Sequence, residues 1–306
     1  MKTPGATPSR RALLTAGAGA ALAAALTAGA PASASPSGGG RDVAARLRAL
    51  EREYGARLGV YAHDTGTGRT VLYRADEPFP MCSVFKTLAA AAVLRDLDHD
   101  GTYLARRLYY TAQDVADAGG GAVTSLPGNV AGGLTVAELC SAAIAQSDNA
   151  AANLLLRELG GPGAVTRLCR SLGDRTTRLD RWEPALNSAE PWRVEDTTSP
   201  RAIAGTYERL VLGDALEPRD RERLTGWLLA NTTSSARFRA GLPADWALGD
   251  KTGAGSYGTN NDVGIAWPPG RPPVLLSVLS TMPEQAAPRE DALIARTAKL
   301  LADAFA

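Results

Sequence analysis

Lysine, histidine and cysteine are all scarce in this 306-residue chain. Lysine occurs only at Lys2, Lys86, Lys251 and Lys299, and every other basic residue is arginine. Arginine stays protonated in proteins, whereas a buried lysine can lose its proton and act as a base. Lysine is therefore not the ordinary surface cation of this chain, and its few positions are candidates for chemistry.

The three cysteines, Cys82, Cys140 and Cys169, leave at least one thiol unpaired in any disulfide scheme. We expect three small buried side chains rather than a disulfide framework. The two histidines, His63 and His99, have no metal-ligand spacing and are expected at the surface. The sequence thus gives no reason to expect a metal or a cofactor.

The charge balance is nearly neutral, with a formal net charge of +1 and no long basic run. This argues against nucleic acid as a partner. With 45% hydrophobic residues, the chain can bury a sizeable core in one large domain or two modest ones.

Residues 1–34 differ in composition from the rest of the chain. Their only charges are Lys2, Arg10 and Arg11, followed by an Ala/Leu-rich stretch at 12–26 and a small-residue site at 30–34. This pattern predicts a signal peptide, and the Arg10-Arg11 pair resembles a twin-arginine export sequence. A membrane anchor is the alternative, but the apolar run is short and contains Gly and Thr. Cleavage would give a secreted protein of formal charge −2 without membrane association.

Hydrophobic periodicity and turn residues predict the order of the remaining elements. Strands are predicted at 57–64, 69–76, 246–253, 261–268 and 274–282, and the main helices at 42–54, 81–97, 135–146, 149–159, 200–212, 219–229 and 289–305. A long polar loop covers 178–200, and such loops are usually functional. We expect an α/β (α+β) fold, with residues 35–81 and 231–306 forming a sheet domain and residues 82–230 forming an inserted all-helical domain.

Ser83 and Lys86 form an S-x-x-K sequence at the start of a predicted helix. Residues three apart share a helix face, so we expect Lys86 Nζ to reach Ser83 Oγ. A desolvated lysine there could activate the serine as a nucleophile. Alone, the motif is also typical of an ordinary helix surface.

Two further short motifs follow at 64 and 168 residues after Ser83. In Ser147-Asp148-Asn149, the hydroxyl could pass a proton to a leaving nitrogen and the amide could hold a carbonyl or a lysine. The alternative is a simple helix cap. In Lys251-Thr252-Gly253, an ammonium beside a hydroxyl could bind a carboxylate, although the motif could also be only a strand end.

The long loop contains Glu183 and, four residues later, Asn187. Together they could orient one water molecule, and Glu183 could take its proton. The alternative is a solvated acidic loop residue. Arg181 and Asp196 lie near the two ends of this loop and could close it as an ion pair.

In this order, the four motifs resemble those of class A serine β-lactamases. The S-x-x-K, S-D-N and K-T-G set is shared with penicillin-binding proteins, whereas the E-x-x-L-N loop is typical of class A. The similarity runs from about Gly59 to the C-terminus and includes residues 231–233 and Asp250. It implies a β-lactamase/transpeptidase-like fold, with a five-stranded antiparallel sheet flanked by the N- and C-terminal helices.

The resemblance also implies roles for individual residues. It makes Ser83 the nucleophile, Lys86 or Glu183 its base, and Ser147 the proton donor to the leaving nitrogen. Glu183 and Asn187 would place the deacylating water. Substrate contacts would come from Asn149, Lys251, Thr252, Gly253, Ala254 and Arg237, with the N–H groups of Ser83 and Ala254 forming the oxyanion hole. The implied partners are small-molecule β-lactams, and a monomer is expected.

Three departures from the family pattern are visible. Residues 118–122 are Ala-Gly-Gly-Gly-Ala where many relatives carry an aromatic side chain, which predicts a looser cleft mouth and weaker substrate binding. Arg237 would replace an arginine that some relatives place at the position of Asn260. Gly255 stands where certain carbapenem-hydrolysing relatives have a disulfide partner for Cys82.

Two alternatives remain open at this point. A D-Ala-D-Ala carboxypeptidase or transpeptidase would share the serine, the lysine and K-T-G, but it normally lacks the E-x-x-L-N loop. A non-hydrolysing β-lactam sensor would trap the drug without turnover, and it usually carries a membrane segment and a partner domain.

Overall fold

The computed structural model describes residues 38–306, with side chains from Asp42 onward. Five strands form one antiparallel sheet in the order β2-β1-β9-β8-β7. They are β1 (Arg57–Asp64), β2 (Thr70–Tyr73), β7 (Ala247–Ala254), β8 (Asn260–Trp267) and β9 (Val274–Thr281). The predicted five-stranded antiparallel sheet is confirmed.

Short strands and helices fill the segment between β2 and β7. The strands are β3 (Phe79–Pro80), which pairs with β6 (Thr197–Thr198), and β4 (Arg107–Leu108), which pairs with β5 (Leu134–Thr135). The helices are α2 (Phe85–Asp96), α3 (Thr102–Ala105), α4 (Ala112–Asp117), α5 (Pro127–Gly132), α6 (Val136–Ala145), α7 (Asn149–Glu158), α8 (Gly163–Ser171), α9 (Pro200–Val211), α10 (Pro218–Leu229) and α11 (Phe238–Gly241). In the described part of the chain, α1 (Gly38–Tyr54) comes first and α12 (Asp291–Phe305) comes last.

Alternate residues of the central strand β9 face two different hydrophobic clusters. Val274, Leu276 and Val278 belong to the cluster that α1 and α12 cover. Leu275 and Leu279 belong to the cluster built from the helices of the middle segment. Since side chains alternate across a strand, a strand buried on both faces reads as a continuous apolar run.

Helix α2 lies at the centre of the helical side of the molecule. Every residue from Phe85 to Leu94 is buried, including Lys86. A helix that is apolar all round is a core helix, so the single ammonium within it must find partners in the interior. Lys86 is thus one of few lysines in the sequence, and its side chain is buried in the core.

Two predicted boundaries are wrong. The strand predicted at 69–76 ends at Tyr73, because Arg74 adopts a left-handed backbone conformation (φ 45°) and its carbonyl accepts a turn bond from Glu77 N. The helix predicted from Met81 begins with a single 3-10 turn, Cys82–Val84, and becomes α-helical only at Phe85. Cys82 has φ 47°, which is incompatible with a helix.

Other local predictions are confirmed. Thr135 caps α6 in a capping box with Glu138. The three cysteines are buried and unpaired, and His99 is exposed as predicted, whereas His63, also predicted at the surface, is half-buried. Among residues 38–306, no helix is long and apolar enough to cross a membrane. The signal peptide predicted at 1–34 lies outside the described residues.

Candidate active site

Ser83 lies in the 3-10 turn directly before α2, and β8 holds this turn in place. Asn261 Nδ2 donates to the carbonyl oxygens of Pro80 (2.9 Å) and Met81 (3.2 Å). Ser83 Oγ donates to Glu183 Oε1 at 3.4 Å. The serine hydroxyl is therefore held against a carboxylate that can accept its proton.

Lys86 Nζ is enclosed by oxygen acceptors. It donates to Asn149 Oδ1 at 2.5 Å and to the Ser147 carbonyl at 2.8 Å, and it lies 3.0 Å from Glu183 Oε1. Burial lowers the pKa of Lys86 below its usual value, and the Glu183 charge partly opposes this shift. The predicted direct bond to Ser83 is absent among these described side chains, because Lys86 Nζ is directed toward Ser147, Asn149 and Glu183.

Ser147 lies between the two buried lysines, in a left-handed conformation with φ 57°. Its Oγ accepts from Lys251 Nζ at 2.9 Å and from Lys86 Nζ at 3.4 Å. The pKa of Lys251 lies well below its usual value, first because the side chain is buried and second because Lys86 carries a like charge nearby. The Ser147 hydroxyl can therefore receive a proton from either lysine.

Glu183 is buried in the long loop with Asn187 beside it. Asn187 Nδ2 donates to Glu183 Oε2 at 2.5 Å, and Asn187 Oδ1 is buried without a hydrogen-bond partner. Asn153 on α7 fixes the backbone of Glu183, accepting from its N–H at 3.0 Å and donating to its carbonyl at 2.9 Å. One carboxylate and one carboxamide therefore face the same small volume next to Ser83.

Arg181 and Asp196 join the two ends of the long loop. Arg181 Nε lies 2.5 Å from Asp196 Oδ2, and Asp196 Oδ1 also accepts the backbone N–H groups of Asp180 and Arg181. Asp196 is 2% exposed. The pair is therefore largely shielded from water, which strengthens its electrostatic interaction.

The Lys251-Thr252-Gly253 sequence lies on β7, the edge strand of the sheet, beside the serine turn. An added Cβ at Gly253 would lie 2.8 Å from the Met81 carbonyl, so the strand and the turn approach closely only because this residue is glycine. Ala254 ends the strand next to this contact. An edge strand leaves part of its N–H groups free to bind a substrate oxygen.

Arg237 reaches the same strand from the side. Its Nη1 donates to the carbonyls of Gly253 (3.2 Å) and Asn261 (3.0 Å), and its Nε pairs with Asp291 at 2.7 Å. The guanidinium is thus placed next to K-T-G, but Asp291 balances part of its charge.

Asn149 and Asp148 link the S-D-N motif to the glycine-rich stretch. Asn149 Nδ2 donates to the Ala118 carbonyl at 3.2 Å. Asp148 caps α7 by accepting from Ala151 N, and it also accepts from the N–H groups of Val123 and Thr124. The cap interpretation of this motif is therefore correct, but it accounts for only part of what Asp148 does.

Sequence reasoning missed two residues that support the site, Asn153 and Asn261. Asn153 lies four residues after Asn149, on the same face of α7, so helical spacing could have identified it. Asn261 acts across 180 residues of sequence, and no local pattern indicates that contact.

A buried serine hydroxyl, a carboxylate that accepts its hydrogen bond and two desolvated lysines define a serine-nucleophile acyl-transfer site. Comparison with known proteins identifies the family. A model described as the β-lactamase enzyme family matches residues 42–305. A β-lactamase of Streptomyces lavendulae is 70% identical over the whole of both chains. A Streptomyces fradiae β-lactamase is 65% identical over 98% of each chain.

Solved structures agree with the sequence comparison. The β-lactamase from Streptomyces albus G has a TM-score of 0.85 at 69% identity, covering 86% of this chain and 98% of that one. An ancestral class A β-lactamase has a TM-score of 0.81 at 52% identity, covering 86% and 100%. The chain belongs to the β-lactamase enzyme family and has the class A fold. Neither the family model nor these relatives favour the penicillin-binding alternative.

Proposed function

We propose that this protein hydrolyses the β-lactam ring of penicillins and cephalosporins through an acyl-enzyme on Ser83, and so confers antibiotic resistance. One observation carries the proposal: Ser83, Glu183, Lys86, Ser147 and Lys251 form one continuous series of buried polar contacts. Each group needed to move a proton onto or off the reacting atoms is present within that series.

Acylation begins with attack of Ser83 Oγ on the lactam carbonyl. Glu183 accepts the serine proton, because the direct hydrogen bond of Ser83 goes to Glu183. Lys86, held beside the same carboxylate, is the second group in position to act as base. The backbone N–H groups of Ser83 and Ala254 bind the oxyanion that develops.

Ring opening requires a proton on the departing nitrogen. Ser147 supplies it and recovers a proton from the lysine pair, which the lowered pKa values of Lys86 and Lys251 favour. The proton that Glu183 took from Ser83 passes to Lys86, 3.0 Å away, so the lysine pair regains its proton and Glu183 is ionised again. The buried positions of both lysines support this route.

Substrate orientation comes from two groups of residues. Lys251, Thr252 and Arg237 bind the substrate carboxylate beside Gly253, at the edge of the sheet. Asn149 holds the acylamino group of the drug. Its side-chain amide already accepts from Lys86 Nζ and donates to the Ala118 carbonyl.

Deacylation uses a water molecule held between Glu183 and Asn187. The buried, unpaired Asn187 Oδ1 supports this role, since a buried acceptor without a partner favours a water donor. Glu183 takes the proton of that water, and the hydroxide attacks the acyl carbonyl. The bond between the acyl carbon and Ser83 Oγ then breaks, and Glu183 returns the proton to Ser83 Oγ.

The test is a count of the benzylpenicillin molecules hydrolysed per molecule of purified protein. We expect many turnovers by the parent and none by Ser83→Ala. Consumption of a single equivalent by the parent would instead indicate a penicillin-binding protein or a sensor.

We further propose that residues 1–34 direct twin-arginine export and are removed, leaving a secreted monomer. The support is the Arg10-Arg11 pair before the apolar stretch. The expected result is a culture-supernatant protein lacking these residues, of monomer mass in solution, and retained in the cell when both arginines become lysine. Unchanged secretion of that double variant would contradict the twin-arginine route, and a dimer mass would contradict the monomer.

A further inference from the structure

A chain of buried and half-buried polar groups runs behind Thr252, away from the reacting serine. Thr252 Oγ1 lies 2.5 Å from Thr233 Oγ1, which lies 2.7 Å from Asn231 Oδ1. Asn231 Nδ2 then donates to Asp250 Oδ2 at 2.9 Å. The chain joins the carboxylate-binding threonine to the interior of the sheet.

The inner end of this chain is a pair of aspartates, Asp250 and Asp262. They lie diagonally on neighbouring strands β7 and β8, on the same face, since Asp250 pairs with Gly264 and Asp262 with Thr252. Both are fully buried, and one oxygen of each, Oδ1, has no hydrogen-bond partner outside the pair among the described residues, although Arg239 Nη2 lies 3.7 Å from Asp250 Oδ1.

A side-chain hydrogen bond joins the two carboxyl groups, and we infer that one proton between them serves both Oδ1 atoms. Burial, and then the Asp250 charge, hold the pKa of Asp262 well above its usual value, so Asp262 carries the proton. Asp250 accepts the Asn231 amide at its other oxygen, Oδ2.

This arrangement fixes the orientation of the Asn231 side chain. Its NH₂ group must face Asp250, so Oδ1 must face Thr233, where it also accepts the Thr233 backbone N–H at 3.0 Å. The Thr233 hydroxyl then has two acceptors within reach, Asn231 Oδ1 and Thr252 Oγ1.

The Thr233 and Thr252 hydroxyls can therefore adopt two arrangements. In the first, Thr252 donates to Thr233, and Thr233 donates to Asn231. In the second, Thr233 donates to Thr252, and the Thr252 proton is free for a substrate oxygen. Asn231 Oδ1 keeps the Thr233 backbone N–H in both cases, so the exchange costs no buried partner.

We propose that Thr233 is a positioning residue for substrate binding: its hydroxyl donates to Thr252 Oγ1 and so directs the Thr252 proton to the substrate carboxylate. This inference rests on the proposed function, because it deepens the carboxylate contact assigned there to Thr252. Thr233 acts through Thr252 and touches no reacting atom.

The test compares benzylpenicillin with its methyl ester, which lacks the negative charge that Thr252 would bind. Thr233→Val keeps the side-chain shape and removes the hydroxyl. We expect KM for benzylpenicillin to rise about fivefold, because Thr252 loses the hydrogen bond that directs its proton to the carboxylate, with kcat within about twofold. KM for the ester should be unchanged, and Thr233→Ser should restore the parent value.

Thr232→Val is the matched control, because the Thr232 hydroxyl donates to the Ala145 carbonyl and not to Thr252. It should leave both KM values near those of the parent. An equal rise for acid and ester, no rise at all, or an equal effect of Thr232→Val would overturn the inference. Parent protein without turnover would instead refute the proposed function, so the two failures are distinguishable.

Discussion

Closure of the Glu183 loop should depend strongly on Asp196. In Asp196→Ala, the Arg181 guanidinium and the backbone N–H groups of Asp180 and Arg181 all lose their acceptor. Removing one partner of a buried ion pair costs about 3–5 kcal/mol. Arg181 is about one-quarter exposed, so solvent screening should bring the loss to about 3 kcal/mol.

The matched control is Asp76→Ala. Asp76 also pairs with an arginine, Arg201, at 2.6 Å, but its side chain is 71% exposed. Exposed ion pairs contribute about 0–1 kcal/mol to the free energy of unfolding. Comparing the two variants therefore separates the effect of burial from the effect of ion pairing alone.

Urea unfolding of both variants measures the free-energy differences, and single-turnover kinetics measures deacylation. We expect Asp196→Ala to lose roughly 3 kcal/mol of stability and to deacylate more slowly, because Glu183 and Asn187 lie within the loop that it opens. Equal destabilisation by the two variants, or unchanged deacylation, would refute the reasoning.

Three further predictions concern packing, acid stability and the cysteine beside the serine. Gly121→Ala should cost about 1–3 kcal/mol of unfolding free energy, because its Cβ would lie 2.1 Å from Asp148 Oδ1, whereas Gly132→Ala has open space and should change stability by less than about 1 kcal/mol. Hydrogen bonds from Arg193 and then Ser188 lower the pKa of Glu190 from 4.5 to about 2, so its stabilisation is present above pH 4.5 and lost as pH falls toward 2. The stability difference between the parent and Glu190→Gln should shrink across that range, and a constant difference in pH-dependent unfolding would contradict this. Gly255→Cys should form a disulfide with Cys82, whose Sγ is 2.9 Å from the added Cβ, and thiol titration of the unfolded protein should then find two free thiols rather than four.

The sequence predicted the elements that carry their own periodicity, together with the residues that meet at the site. Thr135 and Glu138 are an example, because a capping box is complete within four residues. Helix α8 was missed, because Gly160, Gly161 and Pro162 before it are typical of a loop. Elements with a strong local sequence pattern were thus predicted, and an element with a weak local pattern was missed.

Contacts between distant segments could not be predicted in the same way. The S-x-x-K spacing predicted that Lys86 would contact Ser83, but the 3-10 turn at Cys82–Val84 and the buried Glu183 redirect the ammonium. The S-x-x-K spacing shows that Ser83 and Lys86 are neighbours along the chain. The direction of the buried Lys86 ammonium depends on Glu183, which lies about 100 residues away in the sequence.

The glycine-rich stretch at 118–122 shows another constraint that depends on tertiary structure. Gly119 and Gly120 have φ values of 79° and 100°, which side-chain-bearing residues rarely adopt. Gly121 lies against Asp148 without room for a Cβ. The stretch at 118–122 therefore lacks an aromatic side chain where its backbone packs against Asp148 of the S-D-N motif. The looser cleft mouth stays a prediction.

Mass spectrometry of Glu183→Ala mixed with benzylpenicillin tests the central claim most directly. We predict one added drug mass per protein on the Ser83 peptide, because Lys86 remains in position to activate Ser83. The adduct should persist long after the parent has returned to its unmodified mass, because no carboxylate is left to activate the deacylating water. Rapid turnover by the variant, or an adduct on a peptide that lacks Ser83, would contradict it.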